Sequence, residues 1–175
     1  MKKMFLLILA LSVLSLGMGK KPASDAGAVA EPKAASEQDG SSQAAPLFTV
    51  KDLNGKEVSL KEFKDKKAVL LVFWATWCVY CRQEIPELIK LKEQLKDKNI
   101  EIFGVNIQET PAKIKPFVEK NKINYSILLD EKGEVARAYD VQGIPANVLI
   151  DKKGNVVFFG SFGEELKGLV EKSLK

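Results

Sequence analysis

Histidine is absent from this 175-residue chain, and cysteine occurs only twice, at Cys78 and Cys81. Haem held by an imidazole, and copper sites that combine Cys with His, therefore have no ligand set here. A tetrahedral zinc site wants four Cys or His ligands, and two are on offer. A structural zinc would need a second chain or carboxylates to complete it. Charge of one sign is lacking too: the net charge is +4, with Lys and Glu intermixed. That pattern describes a solvated surface rather than a basic face suited to nucleic acid. Neither a metal, a cofactor nor a nucleic-acid partner is expected.

Aromatic residues are missing from residues 20–46, which are rich in Ala, Ser, Glu, Gln, Gly and Pro. Such a stretch cannot bury enough apolar surface to offset the entropy of ordering, so it reads as a disordered linker. Ahead of it, residues 1–19 read as a targeting segment. Lys2 and Lys3 form a basic start, and the apolar run Phe5 to Leu16 is too short for a comfortable membrane span. Gly17-Met18-Gly19 offers small residues for cleavage. The segment is read as either a cleaved signal peptide or a retained N-terminal anchor, the only membrane attachment expected. Both place the domain in a periplasmic or extracytoplasmic setting, where disulfide exchange is meaningful.

Residues 47–175 have globular composition and suit one domain. Leu47 to Leu60 reads as a hairpin about Asn54-Gly55, and Ala68 to Phe73 as a central strand buried on both faces. Cys78 to Leu95 has helical periodicity and contains Pro86; Ile100 to Ile107 is a second buried strand. Thr110-Pro111 opens a helix to about Asn121, with Pro116 as a second kink or break. A short strand at Ile127 to Leu129 and a short helix at Gly133 to Tyr139 follow. A hairpin, Asn147 to Ile150 with Val156 to Phe159, leads to an amphipathic helix from Glu164 to Leu174. The order predicts an α/β fold, a mixed sheet with helices on both faces.

Cys78 and Cys81 are what remains to do chemistry. A Cys-x-x-Cys at a strand–helix junction is a redox or metal motif, and the ligand shortage favours redox. A structural disulfide over so short a loop would remove little chain entropy. With the helix beginning near Cys78, that thiol lies among unpaired backbone N–H groups at the positive end of the helix dipole, which favours thiolate. Cys78 would then be the exposed nucleophile, and Cys81, one turn later, the shielded resolver of the mixed disulfide.

Phe73-Trp74-Ala75-Thr76-Trp77-Cys78-Val79-Tyr80-Cys81, followed by Glu84 and Pro86, resembles the active site of the TlpA/ResA-like thioredoxins. Gly143-Ile144-Pro145 before a strand ending Ile150-Asp151 resembles their cis-proline loop, and Leu129-Asp130 with Ala138-Tyr139-Asp140-Val141 also fits that family. The resemblance implies a thioredoxin fold with an N-terminal β-hairpin and a central βα insertion. It implies an exported thiol–disulfide oxidoreductase, usually a reductant. Protein disulfide substrates such as apocytochrome c, and a membrane electron donor of the DsbD/CcdA type, come with it, as does a monomer. Trp77, next to Cys78, would shield the site and meet substrate together with Tyr80, Ile144 and Pro145, Trp74 would be core, and Glu84, by family position, would handle protons. Three departures stand out. Tyr80 occupies a position that is often Pro, Ala146 one that is usually Thr, and Val72 the place of the buried acid of cytosolic thioredoxins.

Other functions compete. A thiol peroxidase of similar fold needs Pro-x-x-x-Thr-x-x-Cys, but Leu71 and Ala75 stand at the Pro and Thr positions, with Thr76 displaced by one. A non-catalytic binding module with an inert disulfide is a second alternative. A net oxidase or isomerase is a third, and the direction depends on potential and on the recharging partner.

Overall fold

The computed structural model describes residues 43–173. The expected targeting segment, residues 20–42 of the expected linker, and residues 174–175 lie outside the described residues.

Within this span the strands are β1 (Gln43–Ala44), β2 (Thr49–Lys51), β3 (Glu57–Ser59), β4 (Ala68–Trp74), β5 (Ile100–Ile107), β6 (Ser126–Asp130), β7 (Ala146–Ile150) and β8 (Asn155–Gly160). The helices are α1 (Val79–Gln94), α2 (Pro111–Lys120), α3 (Glu134–Ala138) and α4 (Glu164–Ser173). A 3₁₀ turn at Leu60–Phe63 joins β3 to β4. Six strands form one sheet in the order β1-β8-β7-β4-β5-β6, while β2 and β3 make a separate hairpin. The β4–β5 and β5–β6 pairs are parallel and the others antiparallel. Parallel neighbours need a crossover, and α1 and α2 supply the two.

β4 organises the core. All seven of its residues are buried, as a strand covered on both faces requires. Leu70, Val72 and Trp74 face one apolar cluster with Leu88 of α1, Ile114 of α2, and Leu166 and Val170 of α4. The alternate residues Val69, Leu71 and Phe73 face the other, with Val58, Leu60, and Val135 of α3. The period of two along β4 thus assigns three helices to one face, and α3 with the hairpin to the other. Gly104 on β5 is required by close packing: a Cβ there would lie 2.8 Å from Ile127 Cδ1 and 3.0 Å from the Trp74 indole nitrogen.

Two expectations need correction. The linker was expected to run to residue 46, but Gln43 and Ala44 pair with Val156 and Asn155, Ala45 is buried, and the Tyr139 hydroxyl donates to the Pro46 carbonyl at 2.9 Å. An edge strand of two residues takes its order from the sheet it joins, which composition does not display. Pro116 does not break α2, whose helix runs unbroken from Pro111 to Lys120.

Candidate active site

The sheet's register brings the site together. Phe73 pairs with Ala146, so Pro145, the residue before β7, stands level with the end of β4 and the turn that follows it. That turn is Ala75 to Cys78, closed by the Cys78 amide donating to the Ala75 carbonyl at 3.2 Å. The Ile144–Pro145 bond is cis, and the Ile144 carbonyl oxygen lies 3.7 Å from Cys78 Sγ. The loop before β7 therefore packs against the cysteine pair.

Cys78 and Cys81 are joined in a disulfide. Cys78 is the N-cap of α1, in extended conformation, and its sulfur accepts the Cys81 amide at 3.1 Å. A cap normally offers oxygen to that donor. Here a sulfur takes the place, so the amide and helix dipole act on Cys78 Sγ. Cys81, with Ile85 and Leu88, belongs to the buried side of the helix.

The expected contrast in exposure between the two cysteines is absent: Cys78 is 4% and Cys81 2% exposed in this disulfide form. The packed loop at Ile144 is the cause on the Cys78 side. What is exposed is the surround: Trp77 at 62%, Val79 at 62% and Tyr80 at 70%. Ile144 and Pro145 are half-buried. Trp77, Ile144, Gly143, Gln142, Arg137 and Gln108 line part of a cleft of about 430 Å³. Trp74, by contrast, is core, its ring tilted against that of Phe117 with centroids 5.5 Å apart.

Glu84 does not reach sulfur through any hydrogen bond; it is half-buried and accepts from Asn147 Nδ2 at 3.3 Å and from the Phe162 amide at 3.4 Å. Burial pushes its carboxyl above the usual range, and those two bonds only partly offset it. Tyr125 is raised as well, by burial first and then by the Glu84 charge. Asn147 pairs with Val72 across β4–β7 and is fully buried. The polar group absent at Val72 is thus supplied next door by Asn147. Sequence reading passed over Asn147; only strand register could have revealed it.

A second carboxylate was also missed. Glu109, in the loop after β5, is 6% exposed. It accepts from the Thr76 amide at 2.6 Å, the Thr76 hydroxyl at 2.7 Å and Asn106 Nδ2 at 2.9 Å, and pairs with Lys113 at 2.6 Å. Burial would raise its carboxyl, but Lys113, Thr76 and Asn106 together hold it down at about 2. Because the Thr76 hydroxyl is committed to Glu109, it is not presented to the cysteine as a peroxidase threonine would be. The signal for Glu109 was an acid directly before a helix start, which in sequence looks like an ordinary capping residue.

A family model described as the AhpC/TSA family matches residues 42–159. The thiol-disulfide oxidoreductase ResA of Bacillus thuringiensis subsp. konkukian (strain 97-27) is 39% identical over 131 residues, 75% of each chain. Among solved structures, the thioredoxin domain of a thiol-disulfide oxidoreductase from Bacteroides vulgatus superposes with a TM-score of 0.70 at 33% identity, covering 79% of this chain and 100% of that one. A thiol:disulfide interchange protein of the thioredoxin family from Chlorobium tepidum gives 0.69 at 26% identity, covering 79% and 100%.

Proposed function

Since this chain belongs to the AhpC/TSA family, among its TlpA/ResA-like thioredoxins, and is a thiol–disulfide oxidoreductase of thioredoxin fold, we propose that it works outside the cytoplasm as a reductant of protein disulfides. The observation that carries the mechanism is the Cys81 amide on Cys78 Sγ at 3.1 Å, at the head of α1. In the dithiol form that donor stabilises a Cys78 thiolate.

The thiolate attacks one sulfur of a substrate disulfide. A new S–S bond forms, the substrate bond breaks, and the leaving thiolate takes a proton. Cys81 then loses its proton, attacks Cys78 Sγ and expels the second substrate thiolate. Two electrons pass to the substrate and the protein is left with the Cys78–Cys81 disulfide. Glu84 is the proton acceptor for Cys81, because its desolvated carboxyl binds a proton more readily than an exposed one. Trp77 and Tyr80 offer apolar surface to substrate. Pro145 has no N–H of its own to pair, which leaves Ile144 open to edgewise pairing with an extended peptide. Apocytochrome c is the substrate favoured by the family likeness, and a membrane dithiol carrier of the DsbD/CcdA type the source of electrons.

The test is disulfide exchange with an oxidised peptide carrying a Cys-x-x-Cys pair. Cys78→Ser should abolish turnover, and Cys81→Ser should accumulate a mixed disulfide through Cys78. A mixed disulfide through Cys81 instead would reverse the assignment. Export is checked by fusing residues 1–46 to a reporter active only outside the cytoplasm, and cytoplasmic retention would overturn the compartment. A potential of the Cys78–Cys81 pair well above that of reducing thioredoxins would replace the reductant with an oxidase.

A further inference from the structure

The turn between β4 and Cys78 is held in a way the exchange chemistry does not itself demand. Thr76 and Trp77 are its central residues, and neither the amide nor the carbonyl of Thr76 has a partner inside the turn. Both are taken from outside. Glu109 accepts the amide at 2.6 Å, and Arg82 Nε donates to the carbonyl at 2.8 Å. The Thr76 hydroxyl donates to the other Glu109 oxygen at 2.7 Å. Arg82 is fixed in turn, its guanidinium 5.8 Å over the Phe117 ring. Gln108, immediately before Glu109, has φ of 56° and donates its amide to the Asp130 carbonyl at 3.0 Å. The backbone adopts a left-handed residue at the step that delivers Glu109 beneath the turn.

We propose that Glu109 is a positioning residue of the oxidoreductase reaction: through Thr76 it sets where Cys78 caps α1 and where Trp77 is presented to substrate. This rests on the oxidoreductase reading. Glu109 has no hydrogen bond to either sulfur, so its effect must pass through the turn. Only Trp77 separates Thr76 from Cys78, and the Cys81 amide holds Cys78 Sγ at 3.1 Å only while Cys78 keeps its extended cap conformation. A turn that loses Thr76 lets that cap drift. The thiolate then loses its donor, and the attacking sulfur loses its alignment.

The experiment compares full-length wild type, Glu109→Gln, Thr76→Val and the double variant. The readouts are the pH midpoint of thiolate formation, equilibrium with a glutathione buffer, and kcat and KM on oxidised glutathione. For Glu109→Gln the thiolate midpoint should rise, the pair should become harder to reduce, and kcat should fall about tenfold to a hundredfold. Thr76→Val, which deletes only the hydroxyl bond, should show a smaller shift in the same direction, and it decides the matter should Glu109→Gln fail to fold. The double variant should be no worse than Glu109→Gln alone. Lowered thermal stability with unchanged midpoint, potential and kcat would overturn the inference, as would additive effects in the double variant. Wild type that fails to exchange with glutathione or with a Cys-x-x-Cys peptide would instead overturn the oxidoreductase reading.

Discussion

Glu84 and Glu109 make a natural comparison. Each accepts from a fully buried asparagine on a strand beside β4: Asn147 of β7 for Glu84, Asn106 of β5 for Glu109. Each is partly removed from water. Glu84 has two long bonds, at 3.3 and 3.4 Å, and its carboxyl is raised. Glu109 has three donors within 2.9 Å and a lysine at 2.6 Å, and its carboxyl is lowered to about 2. Desolvation acts on both, and the number and closeness of donors decides which effect wins. A loosely held carboxyl is free to trade a proton; a tightly held one stays ionised and can only hold something in place.

The largest effect should come from breaking the tight side. Glu109→Ala leaves the Thr76 and Asn106 donors buried without an acceptor and should cost about 2–4 kcal/mol. Glu84→Ala opens a wetter site with weaker bonds and should cost about 1 kcal/mol or less. Urea denaturation of both variants, with the disulfide intact, measures the gap. Equal losses would mean that the two carboxylates are held alike.

Acid should sharpen the same contrast. Glu109 has a folded-state pKa depressed from 4.5 to about 2, so its stabilisation is complete above pH 4.5 and is lost as the pH falls toward 2. Lys113→Met removes one donor and should lower the melting temperature at neutral pH. The deficit against wild type should shrink between pH 4.5 and 2, where Glu109 becomes protonated in both proteins. A deficit constant over that window would assign the loss to packing of the Lys113 stem rather than to the ion pair.

Most of what flanks the cysteines was legible in the sequence, and most of what supports them was not. The apolar run of β4, the Cys-x-x-Cys and Gly143-Ile144-Pro145 are local strings, and each carries its own signal of burial, redox chemistry or turn. Glu109 meets Thr76 from 33 positions away, and Asn147 meets Glu84 from 63. Those contacts follow from the parallel β4–β5 register and the antiparallel β4–β7 register, which no local pattern states. The burial of Cys78 escaped for the same reason: its cover, the Ile144 carbonyl, arrives from another strand's entry loop. The absence of an acid at Val72 directed attention to Glu84, but it did not show that Asn147, opposite Val72 on β7, donates to that carboxylate.

The smallest effect belongs to Glu84→Gln, and it tests the loose side of the comparison. The folded-state pKa of Glu84 lies above 4.5, so the folded protein binds that proton more tightly than the unfolded chain. Keeping Glu84 ionised therefore costs stability above its folded pKa, and below 4.5, with the carboxyl protonated in both states, the cost is gone. Glutamine carries no charge to desolvate and still presents one oxygen to Asn147 or Phe162. The variant should melt about 1–2 °C higher than wild type at neutral pH, with the advantage fading as the pH falls through the raised folded-state pKa and gone below 4.5. The dithiol protein should respond in the opposite functional sense. Removing a nearby negative charge lets the Cys78 thiolate form at lower pH, yet Cys81 loses its proton acceptor, so turnover should slow while the first attack does not. Thiolate absorbance against pH, with single-turnover and steady-state rates beside it, separates the two steps. Superimposable titrations and equal rates would leave Glu84 as a half-buried helix residue with a raised carboxyl and no part in the exchange.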